Sequence, residues 1–237
     1  MSLLKRNVTT KINYLFDNYL PFRIRNNRFL LYPLYFFLLK GKRVNEFMDF
    51  KKNVYDFTEL EIEKFYSKIS SIISNRETDL NQKSIDRILS IIDKKGSNQT
   101  ILDVGCGDGY MLNKISKICN PENLYGVDFI DVIYNPNWAF TRANITDLPY
   151  DDKYFDIVIC THTLEHVIDI KKAVLELIRV CKKTLIVVMP KQKYNLYTFD
   201  LHINFFNTKN KVSKLFNINT YELDIIDGDW FYVGKKK

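Results

Sequence analysis

The sequence contains no uninterrupted apolar run of the roughly 18–20 residues that a membrane-spanning helix requires. The nearest approach, Phe29–Leu39, is broken by Pro33 and followed by Lys40, Lys42 and Arg43. No small-residue cleavage site follows it, so it does not read as a secretory signal, and the expected location is cytoplasmic. Cysteine is scarce. Cys106, Cys119, Cys160 and Cys181 are scattered without CxxC pairing, which indicates neither a disulfide framework nor a zinc site. Cys160 and Cys181 lie in or beside apolar runs, where a free thiol acts as a small hydrophobe; reduced thiols suit the cytosol. Histidine is scarcer still, with only His162, His166 and His202. The first two stand i, i+4, but there is no H-E-x-x-H and no clustered third ligand, so no metal is expected. Internal repeats are absent, and the one low-complexity tract is Lys235–Lys237.

What is present suits one domain of ordinary core size with an appendage: 237 residues, 46% apolar and 14% aromatic. That richness excludes disorder over most of the length. The net charge of +7 is unevenly placed. Residues 1–52 hold 11 Lys/Arg against Asp17, Glu46 and Asp49, while the rest of the chain is near balance, with 24 basic and 25 acidic side chains. The basic character therefore belongs to the N-terminal segment. It reads either as a solvated face or as a contact for an anionic partner, such as a membrane surface or a phosphate-bearing substrate. Nucleic acid is disfavoured, because no binding motif accompanies the charge.

The chain divides by pattern into an N-terminal helical, basic and aromatic segment, 1–95, and a second domain, 96–237. In the first, Pro21 and Pro33 break any long helix. Thr58-Glu59-Leu60-Glu61 matches a capping box, and Ile62, Phe65, Ile69, Ile72 and Ile73 follow at helical spacing. A second helix carries Ile85, Ile88, Leu89 and Ile92 and stops near Gly96. From residue 100, strands alternate with helices. The expected strands are Thr100–Val104, Leu124–Asp128, Trp138–Asn144, Asp156–Cys160 and Thr184–Met189, with helices at Tyr110–Cys119 and Lys171–Val180. Such alternation implies a parallel sheet covered on both faces. Tyr221–Ile226, Asp227-Gly228 and Asp229–Val233 then read as an antiparallel hairpin.

The central segment is Asp103-Val104-Gly105-Cys106-Gly107-Asp108-Gly109-Tyr110. An apolar strand runs into three glycines at alternate positions, and a helix follows. Glycine lets the backbone approach a ligand, and the helix N-terminus offers free N–H groups. A dinucleotide fingerprint, G-x-G-x-x-G, would put its third glycine where Tyr110 stands.

Here the residues resemble a known family. Asp103–Gly109 is similar to motif I of class I S-adenosylmethionine-dependent methyltransferases. Gly126-Val127-Asp128 resembles their second motif, Asn144–Tyr150 their D-A-x-x-L-P-F segment, and Phe155–Cys160 with Leu164-Glu165-His166-Val167 their fourth-strand motif and L-E-H-V. The order and spacing are the family's, from Asp103 through to Val167. The resemblance implies an α/β, Rossmann-like, doubly wound seven-stranded sheet, mostly parallel, with a C-terminal antiparallel hairpin. It implies S-adenosylmethionine as cofactor. Asp103 would order the glycine loop and the methionine ammonium, and Asp128 would take both ribose hydroxyls. Gly105, Cys106, Gly107, Gly109, Phe129, Asn144, Ile145 and Thr161 would complete the set. Asn144 departs from the usual Asp, so it would accept from adenine through a neutral amide oxygen.

Methyl transfer needs an oriented acceptor and, for a hydroxyl, a base. His166, His202 and His162 are the candidates. His162 and His166 follow the fourth strand, where the sheet's carboxyl edge faces a ligand crevice. His202 lies in an H-x-x-F-F element that resembles one in sugar-type members. Phe47–Phe50 and Thr78–Gln82 look like parts of methyltransferases from bacterial surface-polysaccharide clusters. The expectation is O-methylation of a small-molecule, sugar or phosphorylated precursor of polysaccharide or capsule, under a roof formed by the N-terminal segment. Arg23, Arg25 and Arg28 would grip a phosphate. The rivals are a nucleic-acid methyltransferase, which would need N-P-P-Y-like residues where Thr161-His162-Thr163-Leu164 stands, a non-catalytic protein keeping the fold, and an NAD-dependent oxidoreductase, which Tyr110 disfavours. Oligomeric state is open.

Overall fold

In the computed structural model, residues 14–58, 60–62, 64–66, 78–131, 137–197 and 201–236 are described. The chain divides into two compact units, residues 1–77 with 192–205, and 78–191 with 206–237. The units thus part at 77/78, whereas the motif pattern places its boundary at 95/96.

The second unit is a seven-stranded sheet: β1 Ile101–Val104, β2 Leu124–Asp128, β3 Ala139–Arg142, β4 Phe155–Thr161, β5 Cys181–Pro190, β6 Thr220–Ile226 and β7 Asp229–Lys235. Their order is β3-β2-β1-β4-β5-β7-β6, the first five parallel and β7 antiparallel to both neighbours. Side chains alternate by face. Leu102, Val104, Val158, Cys160, Leu185 and Val187 enter one buried cluster, and Ile101, Ile157, Ile159, Ile186 and Val188 the other. Helices cover both faces, so the central strands β1, β4 and β5 read as near-continuous apolar runs rather than alternating ones. The expected doubly wound mixed sheet with its C-terminal hairpin is the architecture observed. Asp227 and Gly228 both take positive φ, 48° and 93°, as the tight hairpin turn requires.

Several boundaries differ from expectation, each for a local reason. β3 is only Ala139–Arg142, because Asn144 leaves the strand to close a turn on Thr146. The helix after the glycine loop stops at Ile115 rather than Cys119. Its continuation tightens into three-residue turns, Lys117 N–H to Lys114 O and Ile118 N–H to Ile115 O, while the Ser116 hydroxyl bonds Asn113 O. β5 begins at Cys181, directly from the preceding helix; the exposed Lys182 and Lys183 hide that start in the sequence.

The first unit is helical. Helix α1 spans Arg28–Leu38, capped by Asn27, and α2 spans Val44–Asn53. Their buried sides meet around Leu31, Tyr35, Leu39, Phe47, Met48 and Phe50. The 192–205 segment is held within this unit by Leu196 N–H donating to Asn26 Oδ1 at 2.6 Å, and by Lys51 donating to Asn195 O. The capping box forms: Glu61 N–H donates to Thr58 Oγ1 at 3.3 Å, and Thr58 N–H to Glu61 Oε2 at 2.8 Å. Ile69, Ile72 and Ile73 lie outside the described residues. Among the described residues, no helix is long and apolar enough to cross a membrane.

In the second unit α3 is Gln82–Asp93, α4 Tyr110–Ile115, α5 Ile170–Val180 and α6 Lys209–Phe216. The N-caps of α3, α5 and α6 are Asn81, Asp169 and Thr208, each accepting from the backbone three residues on.

Candidate functional site

Strand order reverses between β1 and β4, which opens a crevice at their carboxyl ends. The glycine loop sits there. Gly105 and Cys106 N–H both donate to Val127 O, at 2.7 and 3.1 Å, pinning the loop to β2. Gly105, Gly107 and Gly109 have φ of 75°, 51° and 74°. Their roles separate once neighbours are considered. A Cβ at Gly105 would lie 2.2 Å from Thr163 Oγ1, and one at Gly109 only 2.0 Å from Trp138 Cζ2. Those two glycines admit protein side chains. A Cβ at Gly107 would meet nothing within 4 Å, so this position alone of the three borders open space.

Asp128, at the end of β2, accepts from Gly107 N–H at 2.9 Å and Ile130 N–H at 3.1 Å. Burial raises its pKa; the backbone donors at Ile130, Gly107 and Phe129 oppose that. Asp103, in β1, is only 2% exposed, and its Oδ1 has no partner. Burial, and then the Asp128 charge, push its pKa up to about 7. A buried carboxylate beside a second one, both near an uncovered stretch of backbone, is an arrangement suited to a ligand carrying positive charge.

Cys106 packs beneath the loop, against the position a Gly126 side chain would take, and burial raises its thiol pKa. Its side chain belongs to the core cluster, so only its backbone remains for a ligand. Asn144 Oδ1 accepts from both Thr146 N–H and Thr146 Oγ1 at 3.0 Å. Both lone pairs of that oxygen are engaged, so the expected acceptance from adenine through it does not fit. Phe129 O accepts from Arg142 Nε at 3.1 Å, fixing the chain after Asp128. Ile145 is buried in the core cluster, and Thr161 is half-buried at the end of β4.

His162 has φ 49° and donates its N–H to Val188 O at 2.9 Å. Its ring stands between two carboxylates, Nδ1 3.2 Å from Glu165 and Nε2 3.4 Å from Asp229. Burial depresses its pKa, but Asp229 and Glu165 outweigh that and hold it at about 10. A ring kept protonated between two carboxylates has no lone pair for a further proton, which does not suit the base expected there. Asp229 also accepts from Asn81 Nδ2 at 3.1 Å, so α3, β4 and β7 meet on one buried chain of polar groups. His166 ends the short turn Leu164–His166 and is half-buried. His202 belongs to the other unit, where it is 7% exposed and its Nδ1 lies 2.7 Å from Gln192 Oε1.

Sequence patterns give no sign of Thr163 and Trp138, which fill the space that Gly105 and Gly109 leave. Nor do they single out Arg179. From α5, Arg179 donates to Leu148 O at 2.9 Å, Tyr150 O at 2.6 Å and Asp152 at 3.0 Å, while Glu176 accepts from Leu148 N–H at 2.8 Å. That pair fixes the 148–152 stretch that follows Asn144. An i, i+3 Glu-Arg pair is the one local signal for it. The three arginines offered for phosphate are not equivalent. Arg25 is buried on Asp17 at 3.3 Å and Arg28 is paired bidentately with Asp49, which leaves Arg23 as the exposed one of the three.

A family profile described as "Methyltransferase domain" matches residues 102–189. The chain is 28% identical over 138 residues to the ubiquinone/menaquinone biosynthesis C-methyltransferase UbiE of Campylobacter jejuni, covering 52% of this chain and 57% of that protein. It is 30% identical over 96 residues to the 2-phytyl-1,4-naphtoquinone methyltransferase of Trichormus variabilis, 35% of this chain and 42% of the relative. The matched stretch thus spans about half the length of these curated relatives. Among solved structures, the Burkholderia thailandensis 1,6-didemethyltoxoflavin-N1-methyltransferase, crystallised with 1,6-didemethyltoxoflavin and S-adenosylhomocysteine, aligns with TM-score 0.57 at 11% identity, over 74% of this chain and 87% of that one. That likeness is one of fold.

Proposed function

We propose that this chain, whose residues 102–189 match the methyltransferase domain, is an S-adenosylmethionine-dependent methyltransferase acting on a small molecule. The observation that carries the reading is the pairing of Asp103, buried with an unpartnered oxygen, with open space over Gly107 and a second carboxylate, Asp128, beside it. The groups fit the cofactor: Asp103 offers a negative charge for an ammonium, Asp128 a two-oxygen acceptor for a cis-diol, and the bare backbone at Gly107 a surface for close approach. When bound, S-adenosylmethionine supplies an activated methyl group. The protein's part is to orient the acceptor and keep water out. Should a proton have to leave the acceptor, His166 is the histidine of this unit left for it, since His162 is locked between carboxylates.

The names of the two relatives described above give quinones, not sugars. With Arg25 and Arg28 committed to Asp17 and Asp49, a phosphorylated precursor of surface polysaccharide loses its proposed clamp. A flat, apolar acceptor of quinone type is therefore the reading we favour.

Calorimetry with S-adenosylhomocysteine tests the cofactor part directly. Binding is expected in the wild type, weakened at least about tenfold by Asp128→Ala, a loss of roughly 1.4 kcal/mol. Because Asp103 must be ionised to meet the ligand's ammonium, affinity should rise as pH climbs through about 7, with proton uptake by buffer below it. Absence of binding heat, or binding indifferent to both Asp128→Ala and pH, overturns the reading. The acceptor is tested by S-adenosylhomocysteine release with a reduced naphthoquinone, and His166→Ala should suppress turnover while keeping donor affinity.

A further inference from the structure

Helix α1 is apolar almost all the way round. From Phe29 to Leu38 it contains no charged residue, and Leu39 continues the run. Ordinarily such a helix is buried on every side. Here Leu31 and Tyr35 face the unit's core, while the opposite face is left outside: Phe29 is 89% exposed, Phe37 81%, Leu30 58% and Phe36 53%. Pro33 lies on that same exposed side. The face is followed within four residues by Lys40 and Lys42, both exposed, their ammonium groups in no hydrogen bond or ion pair among the described residues.

We infer that the exposed face of α1, Phe29, Leu30, Phe36 and Phe37 with Lys40 and Lys42 at its end, docks on an anionic lipid bilayer, the helix lying flat in the headgroup region. Four observations select that occupant. Eleven residues make a helix of about 16 Å, half the roughly 30 Å of hydrocarbon, so the segment can lie in an interface but not span one. Pro33 has no N–H to give the Phe29 carbonyl, a loss tolerable where water and headgroups reach the backbone and costly in hydrocarbon. Rings and aliphatic side chains on one face, with lysines at the edge, match the layering of an interfacial helix. Finally, residues 1–52 hold 11 Lys/Arg against three acids. Two copies meeting through this face would bring like charges together, whereas anionic lipid would neutralise them. The surface is carried by the first unit alone and holds whatever the donor or acceptor of the second unit is; if the acceptor is a lipid-soluble quinone, it also says where the acceptor is met.

The test is flotation of the full chain with vesicles of phosphatidylcholine containing one-third phosphatidylglycerol, against phosphatidylcholine alone, in low and high salt. The wild type should float with the anionic vesicles and release partly in high salt. Phe29→Gln and Phe37→Gln should each weaken partitioning by about tenfold or more. Lys40→Glu with Lys42→Glu should erase the preference for anionic over neutral vesicles. Wild type that fails to float, Phe variants that float unchanged, or variants whose only effect is to turn a dimer into a monomer in light scattering would each overturn the inference. Circular dichroism and S-adenosylhomocysteine binding, measured on the same variants, should be unchanged. Lost vesicle binding with retained donor binding separates this surface from the cofactor site, and the converse result defeats the proposed function while leaving the surface standing.

Discussion

In the sheet unit all four residues of β1 are buried and six of the seven in β7 are as well, and the edge strand β6 meets solvent behind charges, Glu222 paired with Lys235 and Asp224 with Arg87. In the helical unit, α1 presents four large apolar side chains to the outside with no charge among them. One unit closes its apolar surface on itself and guards the edge where another strand could add. The other leaves a face open. The difference teaches that apolar content by itself does not locate a core: the sheet unit's hydrophobic residues are matched by facing elements, while half of α1 meets none among the described residues.

The comparison breaks first if the sheet unit's buried polar chain proves dispensable. His162→Gln would remove the cation between Glu165 and Asp229, leaving two buried carboxylates without it, and is expected to destabilise the protein by about 3 kcal/mol in denaturant titration. Because the folded pKa of His162, about 10, lies above the imidazole's usual value, its stabilisation is complete below about pH 6.5 and fades as pH rises through about 10. The variant should therefore flatten the loss of stability seen on the alkaline side. A change no larger than that of an ordinary surface substitution would mean that the ring is not held as described.

A smaller effect sharpens the contrast within the glycine loop. Gly109→Ala forces a methyl against Trp138 at positive φ and should cost roughly 2–3 kcal/mol. Gly107→Ala, meeting nothing, should cost only about 1 kcal/mol yet weaken donor binding more than its neighbour does. Thermal melts with and without S-adenosylhomocysteine separate the two. The smallest shift is expected in the helical unit: Phe29→Gln and Phe37→Gln should stay within about 0.5 kcal/mol of wild type. A larger loss would show that those rings are covered in solution, and the comparison would fail.

Legibility in the sequence followed how local the determining contact was. β2 and the Asp227-Gly228 hairpin were readable because a glycine turn and a short apolar run carry their own boundaries. The glycine loop is legible as a strand-to-helix turn, but which of its glycines borders open space is not. That depends on Thr163 and Trp138, which come from later, separate stretches of the chain. His162 illustrates the limit. Placed beside the carboxyl edge of the sheet it looks like a base; only the arrival of Asp229, from the final strand, makes it an ion-pair partner. Asn144 is the opposite case, its oxygen engaged by a residue only two positions on. In the helical unit the apolar run announced a helix, yet nothing in its periodicity could say that one side would stay outside.

The linkage from Asn81 through Asp229 to His162 has a consequence for biogenesis. Synthesis runs from residue 81 toward residue 229, so the imidazole and Glu165 leave the ribosome well before the second carboxylate that completes their arrangement. Until β7 slots between β5 and β6, the turn bearing His166 lacks one of its anchors, so this corner of the sheet unit should reach its full arrangement only once β7 has been made and paired.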